Sequence, residues 1–211
     1  MSQLAEAVIV TAQAMSCSGL SAGRSGNVSA RDGARVLITP TGMAYEGLKP
    51  EDIVSMALDG SVPSGSRKPS SEWHFHAAIY AARPDIGGIV HTHSNAATAL
   101  ACREEGIPAF HYMVAAAGGA DIRCAPYATF GTEALAQYAL VALEDRQACL
   151  LSHHGVIACG ASLEKAYELA WEVETLADQY IRARMLGDVP LLSDDEMAIV
   201  LRKFQSYGQQ S

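Results

Sequence analysis

The chain has 211 residues, of which 49% are hydrophobic and 18% charged, with a formal charge of -8 and an isoelectric point near 5.3. This composition predicts one globular domain over residues 1–211, and the absence of a basic field excludes nucleic acid as an expected partner. Five cysteines without paired spacing, an N-terminus without signal-peptide features and the lack of an apolar run of about 20 residues predict a cytoplasmic protein that does not enter a membrane.

The first third of the chain predicts one helix followed by strands. Apolar residues recur at helical spacing over residues 4–15, and a glycine-rich loop follows at 19–26. Three short apolar runs at 27–30, 35–39 and 53–58 are bounded by Gly, Asp or Pro. They predict neighbouring antiparallel strands.

The remainder interleaves helices with two further strands. Helices are predicted from Ser70 to residue 82, over 95–102 and from Ser162 to Gly187, and strands over 86–93 and 148–154. Because strand and helix do not alternate regularly, the pattern favours a mostly antiparallel sheet with helices layered on it.

Histidines at two-residue spacing predict a metal site. His91 and His93 lie in a predicted strand, where side chains at i and i+2 share a face roughly 7 Å apart and can converge on one ion. His74 and His76 have the same spacing in a predicted helix, where two steps of about 100° turn them away from each other. Only the strand pair is therefore expected to chelate.

A third ligand is expected from the doublet His153-His154 at the end of the other strand. Adjacent strand residues face opposite ways, so only one of the two can bind the same ion. A lone H-x-H is more often incidental than metal-binding, but its combination with a second histidine motif at a strand end favours a site. Three neutral imidazoles leave a coordination position open, as in a Lewis-acid centre.

Acid, base and anion candidates cluster at predicted turns. Glu72 is expected in the first turn of a helix, where it either transfers protons or merely complements the helix dipole. Ser70 and Ser71 are candidates for binding a phosphate or for capping that helix. The loops at 26–27 and 39–42 offer amide, hydroxyl and glycine donors that suit an oxyanion, although each is also a common turn.

Taken together, these motifs resemble the class II aldolase/adducin-head family in both content and order. The resemblance covers nearly the whole chain and continues through the tail to Lys203-Phe204. The segments that carry it are Ser25-Gly26-Asn27-Val28-Ser29, Thr39-Pro40-Thr41-Gly42, Ser70-Ser71-Glu72-Trp73, His91-Thr92-His93, Phe110-His111-Tyr112-Met113, Ala125-Pro126-Tyr127 and His153-His154-Gly155.

The resemblance implies a fold, an assembly and a metal. The fold would be a three-layer α/β class, with a central, mainly antiparallel sheet of nine strands flanked by helices. The assembly would be a homotetramer with active sites between subunits. The zinc ligands would be His91, His93 and His154, since His154 precedes the glycine, and the ion could also be another divalent transition metal such as Mn²⁺ or Co²⁺.

The same resemblance assigns the remaining site residues. Glu72 would be the acid/base residue, and Tyr112 would reach from a neighbouring subunit to protonate the aldehyde oxygen. Tyr207 would close over the site, although the chain departs from the family after Gly208. The phosphate pocket would be formed by Asn27, Thr41, Gly42, Ser70 and Ser71.

The predicted reaction is reversible cleavage of a ketose 1-phosphate to dihydroxyacetone phosphate and a short aldehyde such as lactaldehyde. Pentulose-phosphate epimerases, methylthioribulose-phosphate dehydratases and oxo-tetronate-phosphate decarboxylases share the fold and remain alternatives. Glu72 favours an aldolase, because the epimerase-like relatives carry aspartate there. A non-catalytic adducin-like binding domain is disfavoured by the retained histidines, and a zinc hydrolase is the last alternative.

Overall fold

The computed structural model describes residues 2–204, apart from the side chain of Ser2. The described strands form one seven-stranded sheet in the order β3-β2-β1-β4-β7-β6-β5. All neighbouring strands are antiparallel except β5 and β6. The strands are β1 (Asn27–Asp32), β2 (Arg35–Ile38), β3 (Val54–Ala57), β4 (Gly88–Thr92), β5 (Cys124–Ala125), β6 (Ala148–Leu151) and β7 (Gly155–Gly160).

Helices cover both faces of the sheet, which makes three layers. They are α1 (Ser2–Cys17), α2 (Trp73–Ala82), α3 (Asn95–Ala101), α4 (Glu133–Ala142), α5 (Leu163–Met185) and α6 (Asp194–Phe204). One apolar core lies between the sheet and α1, α3 and α5, and a second lies between the sheet and α2 and α4. The α/β class and the mainly antiparallel sheet flanked by helices are confirmed.

Side-chain alternation on the central strands decides which face carries the polar residues. Val28 and Val90 point into the core on the α1 side, whereas Ile89 points into the core on the α2 side. Because successive strand residues face opposite ways, Asn27 and His91 lie on the α2 side with Ile89. The register pairs Asn27 with His91, so β1 and β4 present these two side chains next to each other beneath α2.

The expectation of nine strands is wrong for the part of the chain that the structure describes, where seven strands form. Two further pairings, Pro40 with Pro69 and Ile107 with Ile122, are isolated bridges that do not extend into strands. Proline has no N–H to donate to a ladder, which limits the first of these to a single bridge.

Two local predictions also need correction. Glu72 is the N-cap residue of α2 and lies before its first turn, and its side chain makes no capping bond. The Ser70 hydroxyl accepts a hydrogen bond from the Glu72 N–H at 3.3 Å. His153 and His154 lie in the turn between β6 and β7, since β6 ends at Leu151. His153 has a φ of 54°, in the left-handed region. This turn conformation, rather than the alternation of side chains along a strand, points the two rings in different directions.

The sequence pattern predicted α1, α5 and the strands β1, β2, β3, β4 and β6, whereas β5, β7, α4 and α6 had no prediction. The N-cap of α5 is Ser162, whose hydroxyl accepts a hydrogen bond from the Lys165 N–H at 3.3 Å. Among the described residues, every helix is too short or too polar to cross a bilayer.

Candidate metal centre

Three histidines and one glutamate converge at the end of β4. The side chains of Glu72, His91, His93 and His154 each offer one ligand atom, and these atoms lie within 4.8 Å of one another. The ring centroids of His91 and His93 are 4.8 Å apart, as are those of His91 and His154. The structure therefore brings together the three predicted metal ligands and the predicted acid/base residue.

Pairing of β4 with β7 explains how distant parts of the chain meet here. The two strands are antiparallel with Thr92 opposite Val156, so the start of β7 lies beside the end of β4. His154 immediately precedes β7 and therefore faces His93 across this pair. His74 and His76, in contrast, lie on α2 outside the cluster, as the helical spacing predicted.

Gly155 makes the close approach of these strands possible. A Cβ at this position would lie 2.2 Å from the carbonyl oxygen of Thr92 and 2.9 Å from Cδ2 of His93. Any larger residue would push the two backbones apart directly between His93 and His154. The glycine after the histidine doublet is thus a structural requirement of the cluster.

Hydrogen bonding orients His91 for metal binding. Its Nδ1–H donates to the Val156 carbonyl oxygen at 2.8 Å, which leaves the lone pair on Nε2 facing the cluster. The ring is fully buried and meets the edge of Phe75 at a centroid distance of 5.2 Å. Its Nε2 lies 3.0 Å from Nε2 of His93, a separation that one shared ion can bridge.

The Glu72 carboxylate completes the cluster and is held as an anion. Its two oxygens lie 3.2 Å from Nε2 of His91 and 3.0 Å from Nε2 of His154. Burial raises the pKa of Glu72, but the imidazoles of His91 and His154 outweigh burial and lower the pKa below its ordinary value. Burial lowers the pKa of His93 to about 4, so this imidazole is neutral at pH 7 and its lone pair is free to bind a metal.

A polar pocket of about 160 Å³ adjoins the cluster. Its lining includes all five residues predicted to bind phosphate, namely Asn27, Thr41, Gly42, Ser70 and Ser71. Arg24, Glu72 and His93 also line it. Backbone hydrogen bonds from Thr41 N to Lys68 O at 3.1 Å and from Ser70 N to Thr39 O at 3.0 Å join two of the loops. The weak anion motifs therefore lie around one cavity.

Arg24 is a lining residue that the sequence reasoning missed. It is exposed, and its Nη1 donates to the Gly42 carbonyl oxygen at 3.1 Å, which places a guanidinium at the mouth of the polar pocket. The signal was its position in the glycine-rich loop, three residues before Asn27. Guanidinium groups suit phosphate because they donate several N–H bonds in one plane.

A second pocket of about 270 Å³ lies on the other side of Glu72 and His93. We call it the aromatic pocket because Tyr127 and Phe130 line it. Its full lining is Ser71, Glu72, His93, Tyr127, Ala128, Phe130, His153 and His154. Tyr127 and Phe130 were not singled out as site residues from the sequence. Both are exposed, at 58% and 63% of their surfaces.

One predicted residue lies apart from the cluster, and another cannot be placed. Tyr112 begins the short 3₁₀ helix Tyr112–Ala117, is 51% exposed and lines neither of the two pockets. Tyr207 lies outside the described residues.

Comparison with known proteins places this geometry in a family. The family model described as Class II Aldolase and Adducin N-terminal domain matches residues 6–181. A 5-methylthioribulose-1-phosphate/5-deoxyribulose-1-phosphate aldolase of Rhodospirillum rubrum is 51% identical over 97% of this chain and 92% of its own length. An L-fuculose phosphate aldolase of Escherichia coli is 50% identical over 98% and 96% of the two chains.

A solved structure agrees with these relatives. It is an L-fuculose 1-phosphate aldolase that superposes with a TM-score of 0.94 at 40% identity and covers 97% of each chain. The chain therefore belongs to the class II aldolase family, and it is an enzyme of the lyase class, an aldolase.

Proposed function

We propose that this enzyme reversibly cleaves a ketose 1-phosphate to dihydroxyacetone phosphate and a short aldehyde such as lactaldehyde. The observation that carries the proposal is the position of Glu72 and His93, which lie between a polar pocket and an aromatic pocket and within the histidine cluster. A substrate with its phosphate in the polar pocket and an apolar group in the aromatic pocket would place its reacting carbons beside Glu72 and His93.

The donor set fits a divalent transition metal, and zinc is the proposed ion, with Mn²⁺ or Co²⁺ as substitutes. His91, His93 and His154 would hold it through Nε2, and Glu72 would be the fourth ligand before substrate binds. The bound ion would supply Lewis acidity to the oxygens beside the bond that breaks.

The polar pocket is the proposed phosphate site. Arg24 provides a full positive charge, while Ser70, Ser71 and Thr41 provide hydroxyl donors around it. The overall charge of -8 makes this local cation important, because the field of the whole chain repels a phosphate dianion.

The aromatic pocket is the proposed site of the aldehyde portion. The relatives are named for 5-deoxyribulose, 5-methylthioribulose and fuculose phosphates, and the first two of these sugars end in an apolar methyl or methylthio group. Tyr127, Ala128 and Phe130 would contact such a group and exclude water from it. Specificity within this substrate class would be decided here.

Glu72 is the proposed proton-transfer residue. In the condensation direction its carboxylate would remove a proton from C3 of dihydroxyacetone phosphate, while Tyr112 would protonate the aldehyde oxygen that becomes the C4 hydroxyl. Since the imidazoles hold the pKa of Glu72 low, the carboxylate is a weak base where it lies. For proton transfer we expect the carboxylate to move away from His91 and His154 toward the substrate.

We also propose a homotetramer with active sites at subunit interfaces, and a cytoplasmic location. The exposure of Tyr112 outside both pockets supports the tetramer, because Tyr112 could act only on the site of another copy. Sedimentation analysis should give the mass of four chains. Mixing Tyr112→Phe chains with Glu72→Gln chains should restore activity in hybrids, and no recovery would argue against sharing of residues.

The function is tested by a panel of ketose 1-phosphates assayed for release of dihydroxyacetone phosphate. Chelation should abolish release, and zinc should restore it. Glu72→Gln should lower the rate about 10²-fold to 10⁴-fold, as expected for loss of a general base. Glu164→Gln removes an exposed carboxyl on α5 and should have no effect.

The alternatives give different products in the same assay. A hydrolase would release inorganic phosphate without an aldehyde, and an epimerase or dehydratase would consume substrate without forming dihydroxyacetone phosphate. Activity that survives both chelation and Glu72→Gln would refute the proposal.

A further inference from the structure

We propose that His76 is a positioning residue for Glu72, acting through the side-chain amide of Asn27. The inference rests on the proposed role of Glu72 in proton transfer and goes beyond it by naming what holds the carboxylate in place. His76 is not part of the metal cluster, lies fully buried on α2 and is one of the two histidines that the sequence analysis set aside.

An unbroken series of hydrogen bonds leads from His76 to the carboxylate. Nδ2 of Asn27 donates to Oε2 of Glu72 at 3.0 Å, and Oδ1 of Asn27 contacts Nε2 of His76. On the other side of the ring, Nδ1 of His76 lies 2.7 Å from the Ser29 hydroxyl, which is 3.0 Å from the Tyr80 hydroxyl. We call four of these residues, Glu72, Asn27, His76 and Ser29, the Glu72 hydrogen-bond chain.

Regular secondary structure brings the chain members together. Glu72 and His76 are four residues apart at the start of α2, so both face the sheet. Asn27 and Ser29 are two residues apart on β1, so both face α2. The four side chains interleave between one helix and one strand, and each is at most 7% exposed.

The chemistry of the groups allows only one direction for the protons. An ionised carboxylate can only accept, so the NH₂ group of Asn27 must face Glu72 and its carbonyl oxygen must face His76. His76 must then carry its proton on Nε2, because two lone pairs would otherwise meet at Asn27. Its Nδ1 accepts from the Ser29 hydroxyl, while the Tyr80 hydroxyl donates to the Ser29 carbonyl oxygen at 2.9 Å.

Burial keeps His76 in the neutral form that this arrangement needs. The absence of water around the ring, together with the nearby His91, lowers the pKa of His76 to about 3. A neutral Nε2–H tautomer fixes the Asn27 amide, which would otherwise be free to rotate and turn its oxygen toward Glu72. The result of such a rotation would be repulsion of the carboxylate at the point where its position matters for proton transfer.

An ordinary buried histidine that only fills space is the competing interpretation. It predicts that any substitution lowers stability and activity together. The positioning role instead predicts that activity depends on one atom, the donor at Nε2, because that atom alone faces Asn27.

Two substitutions separate these interpretations. Glutamine at position 76 can place an amide N–H where Nε2–H lies, whereas asparagine reaches only the position of Nδ1 and leaves Asn27 without a donor. Both are neutral amides in the same buried space, so they are matched. Tyr80→Phe, which removes only a hydroxyl bonded to the Ser29 carbonyl oxygen and lies outside the Glu72 hydrogen-bond chain, is the second control.

The zinc-loaded enzyme should lose about 10-fold to 100-fold in kcat with His76→Asn, as found for residues that orient active-site groups, with KM for the ketose 1-phosphate little changed. His76→Gln should have a kcat near that of the wild type, and Tyr80→Phe should keep the wild-type kcat. Thermal unfolding of each variant should show that the kcat differences do not follow the losses of stability.

Nitrogen-15 spectra of the histidine rings in the wild-type protein give a readout that does not depend on activity. They should show His76 neutral, with its proton on Nε2. A proton on Nδ1, or equal loss of kcat in His76→Asn and His76→Gln, would overturn the proposal. Full activity of Glu72→Gln would instead refute the proton-transfer role, and the spectra would still decide whether the hydrogen-bond direction is correct.

Discussion

Gly155→Ala tests whether the spacing of β4 and β7 controls the histidine cluster. The added Cβ would lie 2.2 Å from the Thr92 oxygen, whereas ordinary contact begins at 3.4 Å, so the strands must move apart by roughly 1.2 Å. The position of the added Cβ is fixed by the backbone of residue 155, and the Thr92 oxygen is a backbone atom of the neighbouring central strand. Rotation of a side chain therefore cannot relieve this clash. We expect a loss of about 3 kcal/mol in the free energy of unfolding, near the upper end for overpacking.

The same movement would separate His93 from His154, because the clash lies between them. Displacement by about 1 Å at a reacting centre lowers rates by about 10²-fold, and zinc affinity should fall as well. Urea unfolding measures the loss of stability, and a competitive zinc titration measures the loss of zinc affinity. Gly47→Ala is the matched control, since a Cβ there meets nothing within 4 Å. If Gly155→Ala unfolds and binds zinc like the wild type, the proposed constraint is wrong.

Three further predictions address the pockets, the ligands and acid stability. Arg24→Ala should raise KM for the ketose 1-phosphate about 10-fold or more with little change in kcat, and Arg24→Lys should recover part of it; an unchanged KM would exclude Arg24 from phosphate binding. His154→Ala should lose the bound zinc in a metal analysis, whereas His153→Ala, at the exposed turn position, should keep it; the reverse result would reassign the ligand. The pKa of His76 is about 3 in the folded protein and 6.5 in an ordinary histidine, so between these pH values the unfolded chain binds a proton at His76 that the folded protein does not. The free energy of unfolding should therefore fall by up to about 1.4 kcal/mol per pH unit as the pH drops from 6.5 toward 3. Urea unfolding of His76→Gln over this range should show a shallower fall, and identical pH dependence would refute the assignment.

Local periodicity was sufficient to predict half of the metal cluster. The two-residue spacing of His91 and His93 on a strand fixes their common face without knowledge of the neighbouring strands. The third ligand depends on the pairing of β4 with β7, which are more than 60 residues apart in sequence. Spacing therefore left His153 and His154 as alternatives, and only the family resemblance and then the turn geometry separated them.

Some other features could not be predicted from the sequence because they depend on contacts between distant segments of the chain. Asn27 is an anion candidate in a loop by sequence, yet the structure has its amide bonded to Glu72, 45 residues away. For α4 a local signal existed, since Thr132 caps the helix by accepting from Leu135 N, followed by an acidic first turn at Glu133. The strand β7 is a short apolar run directly after a turn, which periodicity alone does not distinguish from a buried helix segment.

The origin of each site residue suggests how the centre can be both rigid and mobile. His91 lies in β4, His93 directly follows β4 and His154 directly precedes β7, so all three are positioned by two paired strands in the interior of the sheet. Glu72 comes from the N-cap of α2, where its side chain makes no capping bond to the helix. We therefore expect the hydrogen bond from Asn27 to keep the carboxylate oriented when it leaves the imidazoles. For this reason the Glu72 hydrogen-bond chain should affect kcat more than substrate binding.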